Sequence, residues 1–175
     1  MSITIRPASG GDVAAIDALL RTAFPAPDEA MLVQRLCIDG DMVLTLVADD
    51  EDDGMLAGMV AFSRMSVDIA GKPIAAVALA PVAVAASHRR QGVGEALVRA
   101  GLQHLADAGV HLCFVLGDPE YYGRFGFAAD WAKGFASPYA GDYLMALPLQ
   151  QGAMPCGVRG EATHAGAFAR LGEGA

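Results

Sequence analysis

The chain has little of what several protein classes require. Its three cysteines, Cys37, Cys113 and Cys156, lie far apart and form no Cys-x-x-Cys pair, and its four histidines are scattered. Neither a disulfide framework nor a zinc site is therefore predicted. Only 18% of the residues are charged and the net charge is −8. This balance argues against nucleic acid as the main partner, because binding its phosphates needs a broad basic surface.

Long apolar runs are also scarce. The longest uncharged apolar run, residues 73–87, is too short to span a bilayer and contains Pro81. Arg6 and Pro7 come before any apolar segment that could form a signal peptide. The sequence therefore predicts a soluble cytoplasmic protein with no membrane partner.

Hydrophobic residues make up 54% of the 175 residues, which is enough to build a substantial core. No repeat or long linker divides the chain, so we predict a single domain over residues 1–175, with a core at about 3–150 and a C-terminal strand and tail at about 151–175. Strand-like and helix-like segments alternate, which indicates an α/β layer protein with a mixed sheet. A first helix is predicted from Val13 until Pro25 and Pro27 end it, and a second after the cap Asp28, with an apolar face that includes Met31, Leu32 and Leu36. Further helices are predicted at 95–107 and 120–125, and strands at 2–6, 43–48, 55–65, 74–86, 110–116, 143–149 and 156–164.

The most informative segment is Arg89-Arg90-Gln91-Gly92-Val93-Gly94, which joins the strand 74–86 to the helix 95–107. A glycine-bearing turn at the start of a helix leaves backbone N–H groups unpaired, and the positive end of the helix dipole lies beside them. With two arginines added, these groups form a site for a polyanion, most simply a pyrophosphate. A side chain at Gly92 or Gly94 would hold the phosphates away from the backbone.

Two common nucleotide-binding motifs do not fit this segment. The dinucleotide fingerprint needs a small residue where this chain has Leu97, and the P-loop needs a Gly-Lys-Ser/Thr tripeptide that the sequence lacks. The remaining pattern, Q/R-x-x-G-x-G/A, is matched from Arg89 to Gly94. It resembles the acyl-coenzyme A pyrophosphate loop of the GCN5-related N-acetyltransferase (GNAT) family. The alternative is an ordinary tight turn with a solvated basic face.

A second motif, Gly-Asp-Pro-Glu-Tyr-Tyr-Gly-Arg-Phe-Gly-Phe at 117–127, carries the same resemblance. Members of the family often have Tyr-x-x-x-Gly-Phe here, and Tyr122 stands four residues before Gly126-Phe127. The whole string resembles the YhbS-like predicted acetyltransferases within the family, and the resemblance covers about residues 3–150. It implies that the Tyr122 hydroxyl lies beside the coenzyme A sulfur and gives a proton to the departing thiolate. The alternative is a core aromatic whose hydroxyl is satisfied locally.

The resemblance also implies a fold and a binding mode for the donor. The fold is a three-layer α-β-α arrangement whose mixed, mostly antiparallel sheet is splayed between its two central parallel strands. Pro81 then marks a bulge in the strand before the loop, and the backbone of Val82, Ala83 and Val84 pairs with the pantetheine arm. Without a ligand, Pro81 would instead mark an edge strand.

The implied function is transfer of an acetyl group from acetyl-coenzyme A, as cosubstrate, to a primary amine by direct attack in a ternary complex, without a metal. Cys113 is disfavoured as an acyl-enzyme nucleophile, because it lies in an apolar strand without a partnered base. The alternative function is a non-catalytic acyl-coenzyme A-binding sensor or regulatory module. The amine acceptor is not identified by the sequence, and a homodimer is an assembly that the family often forms.

The general base is the least defined part of the prediction, because a protonated amine must lose a proton before it attacks. The catalytic assignment is Glu29, near the start of the helix that borders the acceptor cleft by resemblance. Its alternative role is an acidic side chain favoured by the helix dipole. Other candidates are Asp39, His88, His111, Asp118 and a water chain to the backbone.

Overall fold

The computed structural model describes residues 2–151 and 156–171. Seven strands lie within these ranges: β1 (Ile3–Pro7), β2 (Met42–Asp50), β3 (Met55–Ile69), β4 (Lys72–Val84), β5 (Leu112–Leu116), β6 (Leu144–Pro148) and β7 (Arg159–His164). The α-helices are α1 (Val13–Ala23), α2 (Asp28–Asp39), α3 (Val93–Asp107), α4 (Pro119–Tyr122) and α5 (Ala129–Ala132). Short 3-10 turns occupy Gly10–Asp12, Ala86–His88, Gly123–Phe125 and Gly166–Arg170.

The strands form one mixed sheet in the order β1-β2-β3-β4-β5-β6, and β7 pairs with β3. Neighbours β4 and β5 are parallel, whereas β1–β2, β3–β7 and β5–β6 are antiparallel. The parallel register runs from Ala76↔Leu112 to Ala78↔Phe114, and β4 continues beyond it to Val84. This mixed, mostly antiparallel sheet with a short central parallel pair confirms the predicted fold class.

The described residues fall into two compact units. The first contains residues 2–62, 80–101 and 166–171, and the second contains residues 63–79, 102–151 and 156–165. Each unit is described separately below. The single domain predicted over 1–175 stays a prediction.

The core of the first unit is built by the apolar faces of its first two helices. Side chains of α1 and α2 pack with buried residues of β2, β3 and β4; the cluster comprises Ile16, Leu19, Leu20, Ala30, Val33, Val47, Met59, Ala61 and Ala83. The α1 members recur at helical spacing, which is why the sequence pattern located this helix. Helix α2 carries Asp28 and Glu29 in its first turn, where the dipole favours negative charge, and ends at Gly40 with φ 76°.

A charged network fixes the start of α1 in the first unit. The guanidinium of Arg6 donates to both carboxylate oxygens of Asp12 at 2.8 Å and to Asp49 Oδ2 at 2.6 Å. The Ser9 N–H also donates to Asp12 Oδ2 at 2.7 Å. These bonds hold the pKa of the Asp12 carboxyl well below its usual range, because Arg6 and then Ser9 donate to the ionised form.

The second unit is organised around strand β5, of which residues 112–115 are buried. The β5–β6 register runs from Leu112↔Pro148 to Leu116↔Leu144. The Phe114 and Phe135 rings pack edge to face with centroids 5.5 Å apart. This packing provides a rigid strand from whose C-terminal end the next loop and α4 emerge.

Several element boundaries differ from the predictions. The predicted strands end at residue 65 and begin at residue 74, whereas β3 extends to Ile69 and β4 begins at Lys72, so that a tight hairpin turn joins them. Its central residues, Ala70 and Gly71, have φ values of 54° and 75°, which suit a two-residue hairpin turn. The predicted helix 120–125 is the short α4 followed by a 3-10 turn, which ends at Gly126 with φ 98°.

At the C-terminal end, the strand predicted over 156–164 is shorter and begins at Arg159. Residues 152–155 of the predicted C-terminal segment lie outside the described residues. Within the described part of the chain, no helix has the length and apolar character needed to cross a membrane.

Candidate active site

The strand before the glycine loop keeps its extended form through Pro81. The Ala80–Pro81 peptide bond is cis, and Pro81 is buried. Ala83 packs in the core of the first unit, whereas Val82 and Val84 are partly exposed. Val82, Ala83 and Val84, the residues predicted to bind the pantetheine arm, therefore lie on a strand that packs against the core on one face.

The loop itself is exposed and has an unusual backbone. Arg89, Arg90, Gln91 and Gly92 are all exposed, and α3 begins at the next residue, the buried Val93. Arg90 adopts φ 62°, in the left-handed region that non-glycine residues rarely occupy, and Gly92 adopts φ 80°. Such outliers cluster at functional sites.

The start of α3 leaves backbone donors available. The Ala96 N–H donates to the Gly92 carbonyl at 3.0 Å, which is a helical i→i−4 bond. The N–H groups of Val93, Gly94 and Glu95 precede it in the first turn and have no helical carbonyl to reach. Together with the helix dipole they favour an anion at this end of α3.

Gly92 is suited to this site in two ways. Its left-handed φ is strained for a residue with a side chain. A Cβ built on it would meet no heavy atom within 4 Å, so a side chain would project into open space rather than into the protein. Protein packing therefore leaves that space open for a ligand.

Two glycines that sequence reasoning missed seat α3 on β3 in the first unit. A Cβ at Gly58 of β3 would lie 2.8 Å from the Ala83 carbonyl oxygen and 2.9 Å from the Leu97 side chain. A Cβ at Gly101 of α3 would overlap the ring of Phe62, which is fully buried. The available signal was glycine inside a strand pattern and inside a helix pattern, which often indicates close backbone approach.

His88, a candidate base, lies directly before the loop and is buried. Its Nε2 lies 2.7 Å from Asp50 Oδ2, and its Nδ1 lies 2.8 Å from Ser87 Oγ. The bond from His88, followed by the Asp52 N–H, lowers the pKa of the Asp50 carboxyl. Asp50 was not among the predicted site residues, because it belongs to the acidic run 49–53, which is typical of a solvated turn between two strands; in the structure Asp50 is 5% exposed.

Among the described residues, Asp50, Asp53 and His88 could approach a metal ion together, since their ligand atoms all lie within 4.8 Å of one another. In this geometry, however, His88 and Asp50 are bound to each other at 2.7 Å. That direct bond accounts for the arrangement without an ion.

Tyr122 lies at the end of α4 in the second unit and is partly buried among aromatic rings. Its ring meets Tyr121 and Phe127 edge to face, with centroids 4.9 and 6.0 Å away. A Cβ at Gly117 would lie 2.6 Å from the Tyr122 ring, so the missing side chain makes room for it. Burial is the main cause that raises the pKa of Tyr122 to about 12.

The other base candidates have different surroundings. Asp39 is exposed and pairs with Arg35 at 3.1 Å. Asp118 caps α4 by accepting the Glu120 N–H at 3.0 Å, which is a structural role. His111 Nδ1 is buried and accepts or donates no hydrogen bond within the described ranges. Glu29 is partly exposed in the first turn of α2.

Cys113 is fully buried in β5, and this burial raises the pKa of its thiol well above the usual range. A thiolate nucleophile is disfavoured at such a site. This agrees with the expectation that Cys113 forms no acyl intermediate.

Comparison with known proteins identifies the class of protein. Residues 4–129 match the family described as an acetyltransferase (GNAT) domain. The chain therefore belongs to the GNAT acetyltransferase family, a family of acyltransferases, as its two motifs indicated.

Within this family, the chain is similar to YhbS of Escherichia coli (strain K12), named an uncharacterized N-acetyltransferase. The two are 46% identical over 116 residues, which are 66% of this chain and 68% of that protein. A crystal structure of E. coli YhbS in complex with CoA has a TM-score of 0.87 at 36% identity, covering 97% of this chain and 93% of the other. A GNAT acetyltransferase from Brucella melitensis in complex with acetyl-CoA has a TM-score of 0.75 at 29% identity, with 95% and 98% coverage.

Proposed function

We propose that this protein is an acetyl-coenzyme A-dependent N-acetyltransferase that moves an acetyl group to a primary amine by direct attack in a ternary complex. The observation that carries the proposal is the exposed loop at 89–92 leading into α3, with left-handed Gly92 and open space above it. The CoA and acetyl-CoA complexes of the related proteins support the same choice of donor.

The donor is held mainly through backbone groups. The N–H groups of Gly92, Val93 and Gly94 and the dipole of α3 bind the pyrophosphate, while Arg89 and Arg90 add positive charge. Gln91 contributes backbone and side-chain donors to the same loop. This arrangement explains why the site needs glycine and an exposed loop rather than a pocket of charged side chains.

The pantetheine arm binds along the last residues of β4. The registered pairs between β4 and β5 end at Ala78, whereas β4 continues to Val84. We assign the backbone groups of Val82, Ala83 and Val84 to the amides of the arm, which then extends the sheet as a strand would. The pantetheine arm thus pairs with residues 82–84, beyond the part of β4 that pairs with β5.

The chemistry follows from the atoms that must move. The amine nitrogen attacks the thioester carbonyl carbon, a C–N bond forms, and the C–S bond breaks as the tetrahedral intermediate collapses. Glu29 takes a proton from the ammonium before the attack, so that the neutral amine is the nucleophile, and the nitrogen gives a second proton to solvent as the amide forms. No step needs a metal.

Tyr122 assists the leaving group as a hydrogen-bond donor. Its pKa of about 12 keeps the phenol protonated at neutral pH. A thiol has a pKa of about 8.5, so complete proton transfer from Tyr122 to the thiolate would be uphill by roughly 5 kcal/mol. A hydrogen bond from Tyr122 to the developing thiolate, with the proton finally supplied by solvent, is the more economical route.

The experiment that tests the proposal combines binding and turnover. Isothermal titration calorimetry measures affinity for acetyl-coenzyme A, and release of free thiol is followed with a panel of primary amines. Tight binding with turnover on at least one amine is the expected result. Binding without turnover on any amine would instead support a non-catalytic acyl-coenzyme A-binding module, and absence of binding would contradict the donor assignment. The cytoplasmic location and a homodimer stay predictions.

A further inference from the structure

We propose that Asp50 and His88 form a positioning pair that holds the pyrophosphate loop in its binding conformation, so that Asp50 sets the affinity for acetyl-coenzyme A through His88. The inference rests on the proposed function, because it concerns the same loop. It adds a residue that lies 38 positions before His88 in the chain and in neither of the two motifs.

The His88 ring has a fixed orientation. It is 5% exposed, and both of its nitrogens have partners, Asp50 Oδ2 at 2.7 Å and Ser87 Oγ at 2.8 Å. In the neutral ring, Nε2–H donates to Asp50 while Nδ1 accepts the Ser87 hydroxyl; in the charged ring, both nitrogens donate. The ring therefore keeps its place in either protonation state.

The Asp50 carboxylate is fixed in turn by the end of β2. Its Oδ1 accepts the Asp52 N–H at 3.0 Å, and its backbone carbonyl accepts the Gly54 N–H at 2.8 Å. Asp50 is also 5% exposed. Because His88 directly precedes Arg89, the pair connects the end of β2 to the start of the loop.

The backbone on either side of the loop is also anchored. The His88 N–H donates to the Ala85 carbonyl at 2.8 Å, and the Ala85 N–H donates to the Ala57 carbonyl at 2.8 Å. At the other end, α3 is seated against Gly58. A short loop held at both ends presents its N–H groups to a ligand without paying the entropy of ordering them. Removing the His88–Asp50 bond would release one of these ends.

The test compares Asp50→Ala, Asp50→Asn and the control Glu51→Gln. Glu51 is an exposed carboxylate in the same turn, and it accepts the Ser2 and Thr4 hydroxyls rather than a group of the loop. Calorimetry gives the Kd for CoA. Turnover is measured with acetyl-CoA and with S-acetyl-N-acetylcysteamine, a truncated thioester that lacks the pyrophosphate.

For Asp50→Ala we expect the Kd for CoA and the KM for acetyl-CoA to rise about tenfold, with kcat nearly constant, which corresponds to the loss of one charge-assisted hydrogen bond. The kcat/KM for the truncated thioester should be unchanged, because that donor does not use the loop. Asp50→Asn keeps one acceptor oxygen, which can serve His88 or the Asp52 N–H but not both, so its Kd should lie between those of wild type and Asp50→Ala. Glu51→Gln should behave as wild type.

Unchanged CoA affinity in Asp50→Ala would overturn the proposal, and so would an equal loss with the truncated thioester, which would indicate general damage. If Asp50→Ala does not fold, the double variant Asp50→Leu/His88→Leu decides instead, because replacing both partners with apolar side chains removes their bond and leaves no buried charge between them. Its expected result is a higher Kd for CoA, and an unchanged Kd would refute the pair. The Kd needs no turnover, so a wild-type protein that binds CoA and acetylates no amine would refute the proposed function while still testing this pair.

Discussion

The pyrophosphate loop and the Tyr122 helix are held in place by different forces. The loop is exposed, contains the left-handed residues Arg90 and Gly92, and follows a buried hydrogen-bonded pair, His88 and Asp50. Tyr122 instead lies among aromatic rings, in surroundings that keep it neutral. The loop should therefore respond mainly to changes of charge and backbone conformation, and the Tyr122 helix to changes of ring volume and of the hydroxyl.

The largest effect should come from a charge placed on the loop. Gly92→Glu puts a carboxylate where we propose that the pyrophosphate binds and forces a side chain into a left-handed conformation, so we expect CoA affinity to fall below detection while the protein stays folded. Calorimetry with CoA and a thermal melt measure both quantities. Gly40→Glu is the matched control, since Gly40 has φ 76° and open space around it but lies at the end of α2. Retained affinity in Gly92→Glu would remove the loop from donor binding.

In the Tyr122 helix, the largest effect should come from loss of one oxygen atom. Tyr122→Phe keeps the ring packing and removes the hydrogen bond to the thiolate, so kcat should fall about a hundredfold with the KM for acetyl-CoA nearly constant. Tyr121→Phe, which removes the hydroxyl of the neighbouring ring, is the control. A wild-type kcat in Tyr122→Phe would exclude its hydroxyl from the reaction.

One methyl group added to α3, the helix that follows the loop, should affect stability, whereas one added beside Tyr122 should affect turnover. Gly101→Ala drives a Cβ into the fully buried Phe62 ring, so we expect a loss of about 1–3 kcal/mol in the free energy of unfolding. Gly117→Ala meets the partly exposed Tyr122 ring, which can shift, so stability should change less and kcat should fall. Denaturant unfolding and steady-state kinetics on both variants test this contrast, and identical profiles would contradict it.

The smallest effect should be on the stability of the protein and on its decline at acidic pH. The folded-state pKa of Asp12 lies below its ordinary value of about 4, so its bonds to Arg6 stabilise the protein above that pH and are lost as pH falls through the folded value. We expect Asp12→Asn to lower the melting temperature at pH 7 by an amount that corresponds to about 1–2 kcal/mol, and to show a shallower decline below about pH 4. Thermal melts from about pH 7 to about pH 2 measure both. Parallel pH profiles for the two proteins would show that the network does not provide this stability.

The sequence predicted those parts of the molecule that depend on local patterns. The glycine loop and the apolar stripe of α1 follow from residues close together in the chain, and the structure shows an exposed loop and a helix at those positions. The paired motifs also identified the family, since their order and spacing are specific to it. Tyr122 and Glu29 remain predictions as catalytic residues.

What the sequence did not predict depends on contacts between distant residues. Asp50 belongs to an acidic run that is typical of a solvated turn, and only its bond to His88 shows why one carboxylate of the run is buried. Glycine is required at positions 58 and 101 because of the groups that lie opposite them after folding, and these groups are distant in the sequence. The full extent of β3 and β4 up to the turn at Ala70-Gly71 was not predicted, because Ala70 is not a residue that usually signals a left-handed position.

The seating of α3 on β3 has a consequence for redesign of the donor preference. Because positions 58 and 101 both face groups that leave no room for a Cβ, we expect both glycines to be needed for the close packing of α3 on the sheet. An engineer who wishes to change the donor should therefore keep both glycines and vary the exposed side chains at Arg89, Arg90 and Gln91, in the loop that we propose binds the pyrophosphate. Libraries restricted to these three positions would retain the scaffold while sampling the chemistry of the anion site.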